Sequence, residues 1–178
     1  MAIHANDERC RAAAYHESAH IVIACFLGLP ISPKGVCIDG FANGQAWFMG
    51  STEDTEVALE EFDKVVKTLC AGAIAHRRLH CDIEVARIGD DRRIDQLFDD
   101  HGISSEERES MRNQLSDTAQ EIVDEHWQEI KIVAEALWCK PWRYEPAHQS
   151  LLKWKRLNGS ELQKILAHVP VVVDEKTE

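Results

Sequence analysis

Two histidines and a glutamate, spaced as His16-Glu17-Ser18-Ala19-His20, are the residues of this chain that most clearly allow chemistry. Residues four apart on an α-helix lie on one face, one turn above each other, so His16 and His20 can bind a single metal ion. Glu17 then lies beside the first ligand, where its carboxylate can act on water that the ion activates. The pentad therefore predicts a zinc site typical of peptidases.

The surrounding residues predict that this pentad lies on a long amphipathic helix. Asn6 or Asp7 can cap its start, and Gly28 followed by Pro30 ends it. A helix that is buried on one side and turns its ligands towards a cleft is what the motif requires. The apolar residues at helical spacing are Ala12, Ala13, Tyr15, Ala19, Val22, Ile23 and Phe26.

Length and charge narrow the class of protein. The 178 residues suffice for one compact domain, and we expect a single domain over 1–170 with a flexible tail over 171–178. The net charge of −11 argues against nucleic acid and anionic membranes as partners.

Six cysteines without a C-x-x-C pair predict free thiols. With no signal segment and no bilayer-length apolar run, we expect a cytoplasmic protein.

The hydrophobic pattern predicts a mainly α domain with a small β-hairpin. Strand-like runs over 35–39 and 45–49 flank Asn43-Gly44, which is a strong hairpin signal. The aromatic and basic segment 138–154 is interpreted as packing plus solvated charge, with a partner-binding patch as the alternative. Further helices are predicted from about 51–55 to Leu79, from Asp90 or Asp91 to Gly102, from a capping box at Ser104 and Glu107 to Leu137, and over 161–168.

A catalytic zinc site needs a third protein ligand, and spacing alone leaves several candidates open. His76 and His80 are themselves four apart and could form a second metal site. A pair with Arg77 and Arg78 between its members more often marks an exposed helix face. The candidates for the third ligand are His76, His80, Glu84, Asp90, Asp91, Asp95 and His101.

Several segments resemble the peptidase domain of the FtsH-type membrane ATP-dependent zinc metalloproteases. Residues 14–20, A-Y-H-E-S-A-H, resemble that family's A-Y-H-E-A-G-H. Residues 70–75 are similar to its L-A-G-R-A-A segment, and residues 157–162 to its L-D-G-E-E-L segment. The hairpin over 31–48 resembles the family's strand pair after the metal helix. The resemblance thus covers most of the chain and implies a zincin-like metallopeptidase fold.

The resemblance also implies a ligand set. Residues 89–92 fall where the family has A-S-N-D-L, whose Asp binds zinc, so the expected ligands of Zn²⁺ are His16, His20 and Asp91. Glu17 is then the catalytic base. The chain departs from the family where Ala19 replaces a glycine, and where two basic residues, His76 and Arg77, replace acidic ones.

We therefore expect an ATP-independent zinc metalloendopeptidase that acts on flexible peptides or unfolded protein segments, since the chain has no G-x-x-x-x-G-K-[ST] loop. Gly44, Gln45, Ala46 and Trp47 are expected to align an extended substrate by strand addition, with a hairpin that only covers the core as the alternative. The alternative is a non-catalytic zinc-containing regulatory or peptide-binding module of the same fold. Because FtsH-type peptidase domains form rings, a homo-oligomer is plausible, with its stoichiometry open.

Overall fold

The protein is described here from a computed structural model that covers residues 2–79, 87–144, 153–169 and 172–173. As the sequence predicts, it is mainly helical with a small antiparallel sheet. The helices of the described residues are α1 (Ala2–Phe26), α2 (Leu59–Arg78), α3 (Arg87–Asp100), α4 (Ser105–Glu125), α5 (Trp127–Trp138) and α6 (Gly159–Ile165). The strands are β1 (Ile31–Asp39), β2 (Gly44–Phe48), β3 (Arg143–Tyr144) and β4 (Lys153–Leu157).

Helix α1 is the centre of the core. Every side chain over residues 12–25 is buried, because α2, α5, β1 and β2 all pack against the helix. The sequence predicts a helix buried on one side, whereas the structure buries this part of α1 on all sides. A helix buried all round is normally apolar all round, yet α1 buries His16, Glu17 and His20. Such buried polar groups require partners, which the neighbouring elements supply.

The predicted end of α1 is confirmed. Gly28 has a φ of +74°, a left-handed conformation that favours glycine, and the N–H of Leu29 donates to the carbonyl of Ala24 at 2.8 Å. This termination turns the chain directly into β1. Helix α1 and the β1–β2 hairpin are therefore held in a fixed relative position.

The predicted hairpin is present, but it belongs to a larger sheet with strand order β2-β1-β4-β3. β1 pairs with β2 on one side, with Ile38 opposite Gly44, and with β4 on the other, with Val36 opposite Leu157. The sequence gives little sign of β4, because its inward-facing positions include the buried Lys155. The Lys155 ammonium is accommodated by donating to the carbonyl of Trp138. Strands β2 and β3 form the two edges of the sheet.

The single helix predicted over 104–137 is wrong, because the structure has two helices there. His126, with φ −102° and ψ 21°, interrupts the helical path between α4 and α5. This break lets α4 pack against α2 while α5 packs against α1. The predicted capping box is confirmed, since the Glu107 carboxylate accepts from the Ser104 hydroxyl at 2.7 Å and from its backbone N–H at 3.4 Å.

Some predictions concern residues outside the described ranges. His80 and Glu84 are among these, as are most residues of the expected tail 171–178. Within that tail, the carbonyl of Val172 accepts from the N–H of Ile31 at 2.8 Å. None of the helices in the described ranges combines the length and apolarity needed to cross a membrane.

Candidate metal centre

The two histidines of α1 meet as their spacing predicts. His16 and His20 are both buried, and their Nε2 atoms lie 3.1 Å apart. Oδ2 of Asp90 lies 3.0 Å from Nε2 of His16 and 3.2 Å from Nε2 of His20. Three atoms that can each donate an electron pair thus form a nearly equilateral triangle. This buried group of side chains could hold a metal ion.

The structure differs from the expectation for Asp91. Its carboxylate lies 3.7 Å from the guanidinium of Arg112 on α4, and the adjacent Asp90 faces the histidines instead. Helical phase explains the difference, because Asp90 is four residues before the buried Ile94 and seven before the buried Leu97. Asp91 is rotated by about 100° from this core-facing side of α3. The third member of the group is therefore Asp90.

A carbonyl on α2 orients the ring of His20. The Nδ1 atom of His20 lies 2.7 Å from the backbone oxygen of Thr68. A carbonyl oxygen can only accept, so Nδ1 carries a proton, and Nε2 is the atom that faces the Asp90 carboxylate. The protonated ring donates from Nε2 to Asp90, whereas the neutral ring has a lone pair on Nε2 that an ion can take up. The Nδ1 atom of His16 is buried and has no hydrogen-bond partner among the described residues.

Gly72 of α2 keeps the space beside the two Nε2 atoms open. A Cβ at this position would lie 2.5 Å from Nε2 of His20 and 2.6 Å from Nε2 of His16. The ligands of a tetrahedral zinc ion, at about 2.0–2.1 Å from it, are about 3.3 Å apart, which is close to the spacing observed here. The donor set and the glycine clearance therefore fit a small metal ion.

The electrostatics of the group favour positive charge at this point. Burial by itself lowers the pKa of His20, but the charge of Asp90 and its hydrogen bond, with the charge of Glu17, raise that pKa to about 9. Burial raises the pKa of Asp90, but the charge of His20 and hydrogen bonds from both histidines hold it well below its usual range. The Asp90 carboxylate is thus kept ionised beside the imidazoles.

Glu17 lies between the histidines and the start of β2. Its carboxyl packs so closely on Gly44 that a Cβ there would lie 2.2 Å from Cγ of Glu17 and 2.7 Å from Oε1. Burial raises the pKa of Glu17 above its ordinary value, while the charges of His16 and His20 oppose that rise. The result is a carboxylate of increased basicity beside the metal-binding group.

An open cleft of about 430 Å³ adjoins these residues, and we call it the metal cleft. Gly44, Gln45 and Ala46, three of the four residues predicted to bind substrate, line it along the edge strand β2. Trp47 does not line it. The Trp47 ring instead lies under the guanidinium of Arg156, 5.3 Å from its central carbon.

The loop over residues 49–58 forms another wall of the metal cleft. A helix start over 51–55 was expected, but α2 begins only at Leu59. The buried Arg93 holds this loop, since its Nε donates to the carbonyl of Gly50 at 2.9 Å and Nη2 donates to that of Thr55 at 2.7 Å. Arg93 is three residues after Asp90 on α3, so one helix positions both the loop and the third donor.

The remaining candidate ligands of the described ranges lie apart from the three donors. His76 is buried with its ring centroid 6.5 Å from that of His16. The Asp95 carboxylate pairs with Arg112 at 2.6 Å, and the His101 ring packs edge-on against Phe62.

Sequence reasoning missed Thr68, Gly72 and Arg93. A glycine within the apolar stripe of α2, and an arginine on the apolar face of α3, were available signals for the last two. Thr68 acts through its backbone carbonyl, so its residue type carries no signal.

No protein-family model matches this chain, and no curated protein matches it by sequence.

Proposed function

We propose that this protein is a zinc metalloendopeptidase that hydrolyses peptide bonds in flexible peptides or unfolded segments. The observation that carries the proposal is the convergence of His16, His20 and Asp90 at about 3 Å from one another, with Glu17 beside them at an open cleft. A structural zinc site has four protein ligands and no need of a further carboxylate. Three donors and an adjacent base are typical of a hydrolytic site.

His16, His20 and Asp90 would hold the ion. When bound, Zn²⁺ supplies a Lewis acid that polarises a carbonyl oxygen and increases the acidity of water. The Thr68 carbonyl fixes the orientation of the His20 ring, and Gly72 keeps the space for the ion clear. Imidazole nitrogen and carboxylate oxygen together suit zinc, which accepts both.

Glu17 acts as the general base. Its carboxylate accepts a proton from the water that attacks the peptide carbonyl and then delivers that proton to the leaving amine. Burial raises the pKa of this carboxylate and so makes it a stronger base, while the nearby histidine charges oppose that rise. A base is most effective when its pKa approaches the pH at which it works.

The edge strand β2 would bind the substrate. Gly44, Gln45 and Ala46 run along the metal cleft, and an edge strand has unpaired backbone N–H and C=O groups on its outer side. An extended peptide can pair with such an edge by strand addition. Only a chain segment free of its own secondary structure can do so, which favours flexible or unfolded substrates.

Exchange of Glu17→Gln tests the proposal. We expect the variant to bind zinc as the wild type does and to lose cleavage of an unfolded casein by about 100-fold or more, because the amide cannot accept the proton. Metal content and appearance of casein fragments, with and without a chelator, are the measurements.

The matched control is Glu53→Gln, which makes the same exchange at an exposed cleft residue paired with Arg92. Its cleavage rate should stay close to that of the wild type. If Glu17→Gln kept both its zinc and its cleavage rate, the proposed mechanism would be wrong. A wild-type protein that binds zinc and casein but leaves casein intact would instead indicate a non-catalytic peptide-binding module.

A further inference from the structure

A second cavity, of about 370 Å³, lies at the edge of the sheet where β3, β4 and the start of α6 meet. Among the residues that the structure describes, it shares no lining residue with the metal cleft. The charged side chains among its described lining residues are Lys140, Arg143, Arg156 and Glu161. We call this cavity the basic pocket, because three of these four described groups are cationic, whereas the whole chain carries a net charge of −11.

The acidic group that the structure describes in this lining, Glu161, is already engaged. The Glu161 carboxylate accepts from the Lys140 ammonium and, at 2.9 Å, from the backbone N–H of Asn158. Arg143, in contrast, is exposed and has no ion-pair partner in the part of the chain that the structure describes. Its guanidinium is therefore the cation of the basic pocket that is placed to meet an anion from solution.

The aromatic lining supplies an unused hydrogen-bond donor. Nε1 of Trp154 is buried and has no acceptor among the described residues. Buried donors are satisfied in the great majority of cases, so this one points to an acceptor brought by a ligand. Tyr144 of the same lining is 59% exposed and offers a ring for contact. Trp, Tyr and Arg are the residues enriched at the centres of protein-binding surfaces.

We propose that the basic pocket binds a glutamate or aspartate side chain of an acidic peptide segment. The Arg143 guanidinium pairs with the carboxylate through two parallel hydrogen bonds, and Nε1 of Trp154 supplies a further donor. A short acidic segment is sufficient, because the exposed Arg143 guanidinium pairs with one carboxylate. A long polyanion would instead be repelled by the strongly negative remainder of the chain.

Direct binding of a defined peptide tests this proposal. The probe is a short fluorescent peptide rich in glutamate with both termini blocked, and its counterpart has every glutamate replaced by glutamine. We expect saturable binding of the glutamate peptide, measured by fluorescence anisotropy, and at least about tenfold weaker binding of the glutamine peptide. Acetate should compete more effectively than inorganic phosphate at equal ionic strength.

Three variants locate the binding. Arg143→Glu should weaken binding by about tenfold or more, and Trp154→Phe, which keeps a ring but removes the donor, by about fivefold. Lys164→Glu is the matched control, since it makes the same charge change as Arg143→Glu at an exposed position of α6 outside the basic pocket. It should stay within about twofold of the wild type.

The proposal is overturned if the wild type binds both peptides equally, or if Arg143→Glu and Lys164→Glu weaken binding by the same factor. Stronger competition by phosphate than by acetate would overturn the assignment to a carboxylate. The circular dichroism of each variant shows whether it is folded. Because Arg143 is exposed, its variant remains informative even if the Trp154 variant does not fold.

Discussion

The metal cleft and the basic pocket both gather polar side chains, but they hold them differently. In the cleft, His16 and His20 are buried on the central helix, and the Thr68 carbonyl orients one of the rings. In the pocket, Arg143 stands exposed on an edge strand of two residues. A metal ion needs donors placed to within a few tenths of an ångström, which a buried and interlocked site provides. A carboxylate ligand tolerates the adjustment that an exposed guanidinium allows.

The difference predicts contrasting responses to substitution. In the metal cleft, substitution of a glycine should affect metal binding as much as substitution of a donor. The reason is that Gly44 and Gly72 leave room for Glu17 and for the two histidines to lie close to the backbone. In the basic pocket, ligand binding should depend most on the charges of the lining side chains.

The largest effect is expected for Gly72→Ala. Its Cβ would lie 2.5 Å from Nε2 of His20 and 2.6 Å from Nε2 of His16, so the donors must move apart or the methyl group must take the place of the ion. We expect zinc affinity to fall by about 100-fold or more. Competition with a chromophoric chelator measures the change.

Gly89→Ala is the matched control for this variant. It also exchanges a glycine for alanine within a helix, and so gains the same helix propensity, but its Cβ would meet nothing within 4 Å. It should bind zinc as the wild type does. Equal zinc affinities of the two variants would show that Gly72 does not clear the metal-binding space.

The next effect concerns pH. The pKa of His20 is raised to about 9 beside the ionised Asp90, so at pH 7 the metal-free protein holds a proton that zinc must displace. Affinity should therefore rise by about tenfold per pH unit and level off above about pH 9. Calorimetric titration in buffers of different ionisation heat should detect release of about one proton per ion at pH 7. Binding without proton release would contradict the electrostatic description of the cleft.

The separation of the site residues along the chain explains which of them the sequence could predict. His16, Glu17 and His20 lie within about one helical turn, so spacing alone places them together. Asp90 comes from a distant helix, and its choice over Asp91 depends on the phase of α3, which the buried Ile94 marks. Periodicity therefore predicts the helices and the histidine pair, and the third donor requires knowledge of which face of α3 packs inward.

The cavity of the basic pocket could not be predicted by these means. Its strand β4 pairs with β1, more than a hundred residues earlier in the chain, so local pattern carries little information on the pairing. The charged residues Lys153 and Lys155 further obscure the strand, although the second is buried. The composition of 138–154 favours packing plus solvated charge and leaves a partner-binding patch as the alternative. Their arrangement around a cavity follows only from the sheet order.

The smallest effect is expected at Arg156, which lines the basic pocket and contacts the strand β2. Its guanidinium lines the basic pocket and lies 5.3 Å from the ring centroid of Trp47 on β2, the strand whose other residues line the metal cleft. Arg156→Met keeps the length of the side chain and removes its charge. We expect the free energy of unfolding to fall by about 0.5–1 kcal/mol, through loss of the cation–π contact.

Binding to the two sites of this variant then measures their independence. Affinity for the glutamate peptide should fall by about fivefold, because one cation of the basic pocket is lost, while zinc affinity should stay within about twofold. Arg156→Lys is the control, since it keeps the charge but loses the planar group, and should retain more of the peptide affinity. If Arg156→Met weakened zinc and peptide binding by the same factor, β2 would couple the two regions. The contrast between a rigid cleft and an independent, adaptable pocket would then be wrong.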